Sequence, residues 1–274
     1  MTPTDRFNPL RTISLTALYV NENRRMLLLR AALVTGALIC IAVLALPFSH
    51  YGDWPDYDYK LRDLGPMYYF AGIVLACLGA SLMMDDLKTR QGRIRLLMQP
   101  SPVAEKYIAR WLIYVAAFII FYFVAVAIAD AVRVALASIF YPDYKTCHIF
   151  HAMTNDSQNT RELLGSQEHR ATLLQAITAI YFVIQSFFVL GSTVWYRNSF
   201  IKTFIVFGVI TAAYFACIIP TGEYLWADKI WPEDSWIVDH IKEVMLTAAA
   251  AATIFNWSIG CLRMHETDVI TTRR

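Results

Sequence analysis

The sequence predicts an all-α integral membrane protein of six transmembrane helices, preceded by an amphipathic helix at the membrane interface. Three observations carry that class. The 274 residues are 57% hydrophobic and only 17% charged, with a mean hydropathy of +0.42, a balance foreign to water-soluble domains. Six stretches reach the roughly 18 residues a spanning helix needs without one Asp, Glu, Lys, Arg or His: Ala31–Phe48, Pro66–Met84, Trp111–Ala129, Ala171–Tyr196, Thr203–Pro220 and Val244–Leu262. Charge is also shared unevenly. An even number of spans puts both termini on one side, and the segments there hold 16 of the 24 Lys/Arg but only 7 of the 22 acids. The positive-inside bias then makes that side the cytoplasm. The expected layout is one transmembrane domain over 1–274: an interface region 1–30, six spans within 31–262, a cytoplasmic segment 85–106 and a cytoplasmic tail 263–274.

In residues 5–20, Phe7, Leu10, Ile13, Ala17 and Val20 recur at three- or four-residue steps with Arg11, Thr12 and Thr16 between them. That periodicity suits a helix lying along the cytoplasmic interface. No cleavable leader is legible, so the first apolar run is expected to act as an uncleaved insertion signal. Loop 49–65 carries Asp53, Trp54, Asp56, Tyr57, Asp58 and Tyr59, an aromatic belt with solvated acids rather than a calcium loop. In the second span Gly72, Ala76 and Gly79 are small residues at steps that allow close helix approach.

Asp85 to Trp111 follows, a basic stretch with Lys88, Arg90, Arg93, Arg95, Lys106 and Arg110 around a short apolar patch of Ile94, Leu96, Leu97 and Met98. Gln99-Pro100-Ser101-Pro102 interrupts it, because proline lacks an N–H and restricts the residue before it. Ser101 is expected as N-cap of a new helix with Pro102 at its first position. Glu105 falls near the positive end of that helix. Two readings stand side by side. One is an ordinary positive-inside loop. The other is a docking knob, in which Leu96, Leu97 and Met98 bury surface on a cytoplasmic partner. The third helix is expected to run past Ala129, since Asp130, Arg133 and Ala137 keep a helical rhythm.

The later segments are less specific. Cys147, His148 and His151 are too few for a shaped metal site without Asp143 or His169, and read best as exposed loop residues. Spans four and five are joined by Arg197 to Lys202 only, which makes them a tight antiparallel pair. Trp226, Trp231 and Trp236 fit an interface or a short re-entrant segment. Asn256, deep in the last span, is expected to hydrogen-bond a neighbouring helix. Cys40, Cys77, Cys217 and Cys261 lie in apolar runs as small hydrophobes. Cys147 stands alone, so an intrachain disulfide framework is not expected.

What is missing narrows the function. There is no Gly-Lys dipeptide, hence no phosphate loop for ATP, and no HExxH or GxSxG. The spans as delimited hold no ionisable group, whereas ion-coupled carriers commonly use such groups as relays. No catalytic residue, metal ligand or resident cofactor is expected, and the chain is not expected to be an enzyme. If it moves something, another polypeptide supplies the energy.

With these features the chain resembles the permease subunits of ABC-2 type transporters, especially the short six-span permeases of Bacteroidetes-like bacteria. The likeness covers the whole chain as architecture. Leu97 to Trp111, LMQPSPVAEKYIARW, is similar to the family's LP-x-S-x-x-EK-aromatic-x-x-RW run, with Gln99 where leucine is usual and one extra residue between serine and glutamate. Gly191 to Thr203 is similar to the link between spans four and five, and Arg263 to Val269 to the closing segment. The resemblance implies an ABC-2 permease-like fold in a bacterial inner membrane. It implies an ABC ATPase subunit as partner, with ATP bound there, a second copy or similar permease beside it, the lipid bilayer around it and no nucleic acid. The coupling residues it points to are Arg93, Ile94, Arg95, Leu96, Leu97, Met98, Ser101 and Glu105. Export is the direction it favours. The competing readings are a non-transport scaffold or sensor whose basic face binds anionic lipid, and a membrane enzyme, for which no nucleophile or paired acid is at hand.

Overall fold

A computed structural model of the chain describes residues 7–44, 46, 58–140, 167–226 and 240–272. Among the described residues all regular structure is helical. Six helical segments are long and apolar enough to cross a membrane: Arg24–Leu44, Leu64–Ser81, Val103–Phe140, Ala171–Val194, Ser199–Cys217 and Lys242–Glu266. The chain divides into two compact units. One draws on Phe7–Ala76 and Ile108–Arg170, the other on Cys77–Tyr107 and Ala171–Arg274.

The first unit opens with α1, Pro9–Glu22, where the Asn8 side chain accepts from the Leu10 N–H at 3.0 Å and Pro9 takes the first helical turn. Thr12 is buried, while Phe7, Leu10, Ile13 and Val20 are exposed. The helix thus turns its polar side to protein and leaves its apolar side open, as a helix beside lipid does. Asn23 breaks it, donating from its backbone N–H and its Nδ2 to the Tyr19 carbonyl. Then α2, Arg24–Leu44, begins the first span. The second span belongs to α3, Asp58–Ser81, which runs through Pro66 instead of starting there. Leu38 and Ala42 of α2, Leu64 and Tyr68 of α3, and Ala125, Val126 and Ala129 of the third span form the buried core of this unit. Gly72 lets the Tyr122 ring lie against α3, since a Cβ there would come within 3.1 Å of it. The Tyr122 hydroxyl donates to the Tyr68 carbonyl at 2.5 Å.

The third span is one continuous helical rod with three parts: α5, Val103–Trp111; a π-helical segment, Leu112–Ala117; and α6, Phe118–Phe140. Its 38 residues reach roughly 57 Å at 1.5 Å each, about twice a bilayer's hydrocarbon thickness. So the helix does continue past Ala129, and the span is not free of ionisable groups. Asp130 and Arg133 are both buried, with Arg133 Nε and Nη2 donating to Asp130 Oδ1 at 3.0 and 2.7 Å. The charges that end the apolar run neutralise each other one turn apart, so the helix has no reason to stop.

In the second unit α7, Gln167–Val194, turns into α8, Ser199–Trp226, through Asn198, whose φ of 57° lies in the left-handed region that Asn tolerates. Gly191 makes the close approach possible: a Cβ there would sit 1.9 Å from Thr203 Oγ1. Phe188 stacks on Phe200 at 5.4 Å, and Phe187 meets Phe207 edge-on at 5.5 Å. The last helix, α9, Ile241–Thr272, bonds to α7 through Asn256 Nδ2, which donates to Ser186 Oγ at 2.9 Å. The sequence-based expectations for loop 49–57, for Cys147, His148 and His151, and for Trp231 and Trp236 lie outside the described residues.

Candidate functional site

The connection between the second and third spans is ordered by short-range hydrogen bonds. A 3₁₀ turn, Asp85–Lys88, leads to Thr89, whose hydroxyl accepts from the Gly92 N–H at 3.1 Å and so caps α4, Arg90–Met98. A Cβ at Gly92 would come within 2.0 Å of the Asp86 carbonyl oxygen, so only glycine lets the turn fold back on the helix this closely. Lys88 pairs with Asp85, and Arg95 reaches Asp86 at 3.8 Å. These exposed pairs contribute little stability. They do hold acids and bases on the turn in mixed array.

Helical geometry then sorts the apolar patch. Ile94 and Met98 are one turn apart on the same face and are 46% and 78% exposed, with Arg90, Arg93 and Arg95 exposed around them. Leu96 points the opposite way and is 8% exposed. The expectation that Leu96 buries surface on a partner is therefore corrected: it is committed to the chain's own packing, 200° around the helix from Ile94. The Leu97 side chain is outside the described set.

Two further expectations change in the same stretch. The helix after the Pro100-Ser101-Pro102 break starts at Val103, with the Pro102 carbonyl accepting from the Glu105 and Lys106 N–H groups. Pro102 stands in the capping position, and the buried Ser101 hydroxyl caps nothing among the described residues. Glu105 is 0% exposed, so it offers nothing to a docking partner. Its neighbour Lys106, missed as a site residue by sequence reasoning, is also buried, and its ammonium donates to the Leu96 carbonyl at 2.7 Å. That bond ties the last turn of α4 to the first turn of the third span. It places a cation at the negative end of α4, where the carbonyls lack helical partners.

In the first unit, Tyr114 lies in the π-helical segment and accepts from Arg30 at 2.8 Å, and its hydroxyl meets that of Tyr19 at 3.3 Å. The Arg110 guanidinium sits 5.6 Å over the Tyr19 ring, within cation–π range. Thus α1 is held against the third span where its hydrogen bonding widens to the π pattern, a common place for functional adjustment. Tyr114 inside an apolar run and Arg30 at the edge of another were the available sequence signals. Of the small residues expected at helix contacts, Gly72 and Ala76 are buried and Gly79 is half-buried.

Among the described residues no group of three His, Cys, Asp or Glu side chains is placed to hold a metal ion. The connection presents a basic helix tip with two apolar side chains, a surface for binding rather than for bond chemistry. Six apolar helices of spanning length define the chain as a multi-pass helical membrane protein. Compared with known proteins, it matches no family, no curated protein and no solved structure.

Proposed function

We propose that this chain is the membrane-spanning permease subunit of an ATP-driven transporter of the ABC-2 type, an exporter powered by a separate ATPase subunit. The reading rests on one observation above the others: α4 exposes Ile94 and Met98 amid Arg90, Arg93 and Arg95, while Lys106 fixes its far end to the third span. A helix that projects an apolar tip and is tied to a membrane helix suits the transmission of force from a partner. ATP binding would close a pair of ATPase subunits, α4 would follow the groove it sits in, and the third span would move with it. Two permease chains, identical or similar, would alternate between inward and outward openings in a bacterial inner membrane, with both termini cytoplasmic and α1 lying along the interface.

The test is biochemical. Purified alone, the chain is expected to hydrolyse no ATP, because no phosphate loop occurs in its sequence. Isolated gently from its own membranes, it is expected to bring down a polypeptide carrying such a loop, with ATP hydrolysis confined to that partner. ATP hydrolysis by the isolated chain, abolished by its own substitutions, would overturn the assignment.

A further inference from the structure

Between α7 and α9, within the second unit, lies a groove of about 520 Å³ whose lining residues carry no charge. Its walls include Thr178 and Phe182 on α7 and Ala250, Thr253 and Trp257 on α9. Phe182 and Trp257 meet edge-to-face at 6.3 Å between ring centroids. One turn further along both helices the chemistry changes. Gln185 follows Phe182 by three residues and Thr178 by seven, which places it within about 20° of Thr178 around the helix. Ser186 is beside it, and Asn256 adjoins Trp257 and bonds across to Ser186 Oγ. Gln185 is 1% exposed, yet neither its Oε1 nor its Nε2 has a hydrogen-bond partner among the described residues. The buried Tyr107 hydroxyl, against Gly260 one turn beyond Asn256, is likewise without one.

An amide buried inside a membrane helix and left without partners is costly, because lipid offers none. Where such a group ends an apolar groove, its donors and acceptor await a molecule that enters the groove. We propose that this groove binds an uncharged amphiphile: its apolar chain lies between Thr178, Phe182, Ala250 and Trp257, and its amide or hydroxyl head group bonds to Gln185 beside the Ser186–Asn256 bridge. Neutral glutamine supplies two donors and one acceptor, which match an amide or hydroxyl head. An ionised head would meet no opposite charge among the groove residues, at a cost that excludes it. This site depends on the chain's lying in a membrane and not on the ATPase reading, so each stands or falls alone.

Trp257 gives the site its own reporter. The full-length chain would be purified into lipid nanodiscs and titrated with three brominated quenchers: 9,10-dibromostearamide, 9,10-dibromostearic acid and 9,10-dibromooctadecane. The Trp257 signal is isolated by subtracting that of a Trp257→Phe variant. The amide is expected to quench it at an at least tenfold lower mole fraction than either the acid or the hydrocarbon. Gln185→Leu is expected to abolish the amide's advantage, which corresponds to losing one or two hydrogen bonds in an apolar setting, and to leave hydrocarbon quenching unchanged. Ligand-free Gln185→Leu is also expected to melt no lower than wild type, since it removes a buried polar group that lacks partners. Equal midpoints for all three quenchers would mean an ordinary lipid-facing surface and would overturn the proposal. So would an amide midpoint insensitive to Gln185→Leu. If both Gln185→Leu and Gln185→Met fail to fold, the amide is a structural element and the proposal is likewise overturned.

Discussion

Replacing Ile94 and Met98 together by serine separates docking from folding. Both lie on the outer face of α4, 46% and 78% exposed. Full burial of an aliphatic side chain contributes about 1.5–3 kcal/mol. Scaled by the area still open, a partner's groove gains about 0.7–1.4 kcal/mol from Ile94 and about 1.2–2.3 kcal/mol from Met98. The double variant is therefore expected to weaken partner binding by roughly 20- to 500-fold. The basic residues stay, so the charge signal for orientation is unchanged. The assay is a titration of the nanodisc-reconstituted chain with purified ATPase, alongside thermal stability and membrane level. Leu96→Ser is the control. Leu96 faces inward, and its loss is expected to lower stability by about 2–5 kcal/mol, the range for truncating a buried leucine. If Ile94→Ser/Met98→Ser binds within about threefold of wild type while folding normally, the exposed face of α4 is not a docking surface.

Two other substitutions probe the parts behind that face. Lys106→Met keeps the buried stem and removes the donor to the Leu96 carbonyl; it is expected to spare ATPase binding but sharply reduce transport per ATP hydrolysed in proteoliposomes, and unchanged coupling would remove Lys106 from the mechanism. Asp130→Ala leaves Arg133 buried without its carboxylate and is expected to cost about 3–5 kcal/mol, whereas Asp130→Leu with Arg133→Met recovers most of it; a loss below about 1 kcal/mol in thermal unfolding of Asp130→Ala would place the pair in water.

The spans were legible because lipid imposes length and apolarity on any helix that crosses it, and six uncharged runs satisfy both. Their ends were not. The third run stops at Asp130 in sequence, but a side-chain pair that cancels one turn later, Asp130 with Arg133, leaves the helix intact. At Pro66 the reverse holds: the residue expected to begin a helix lies inside one. In α4, Leu96, Leu97 and Met98 are equally apolar, and successive residues differ by 100° around the axis. Composition marks the patch as a candidate contact but cannot say which of its members faces out. Folding decides that through the Thr89 cap, the Gly92 close approach and the Lys106 bond. Lys106 itself reads as one more loop cation until its ammonium is seen on the Leu96 carbonyl. Asn256 was legible as a helix-to-helix donor because a lone amide deep in an apolar run needs a partner. Gln185 carries the same signal and was passed over.

Position 98 offers the most direct test of the central claim, that α4 engages an ATPase. A benzophenone side chain installed there would be photoactivated in intact membranes of the native host. The account predicts one dominant adduct between this chain and a polypeptide that contains a phosphate loop and binds ATP. Adducts with lipid alone, or with no ATP-binding polypeptide, would contradict it.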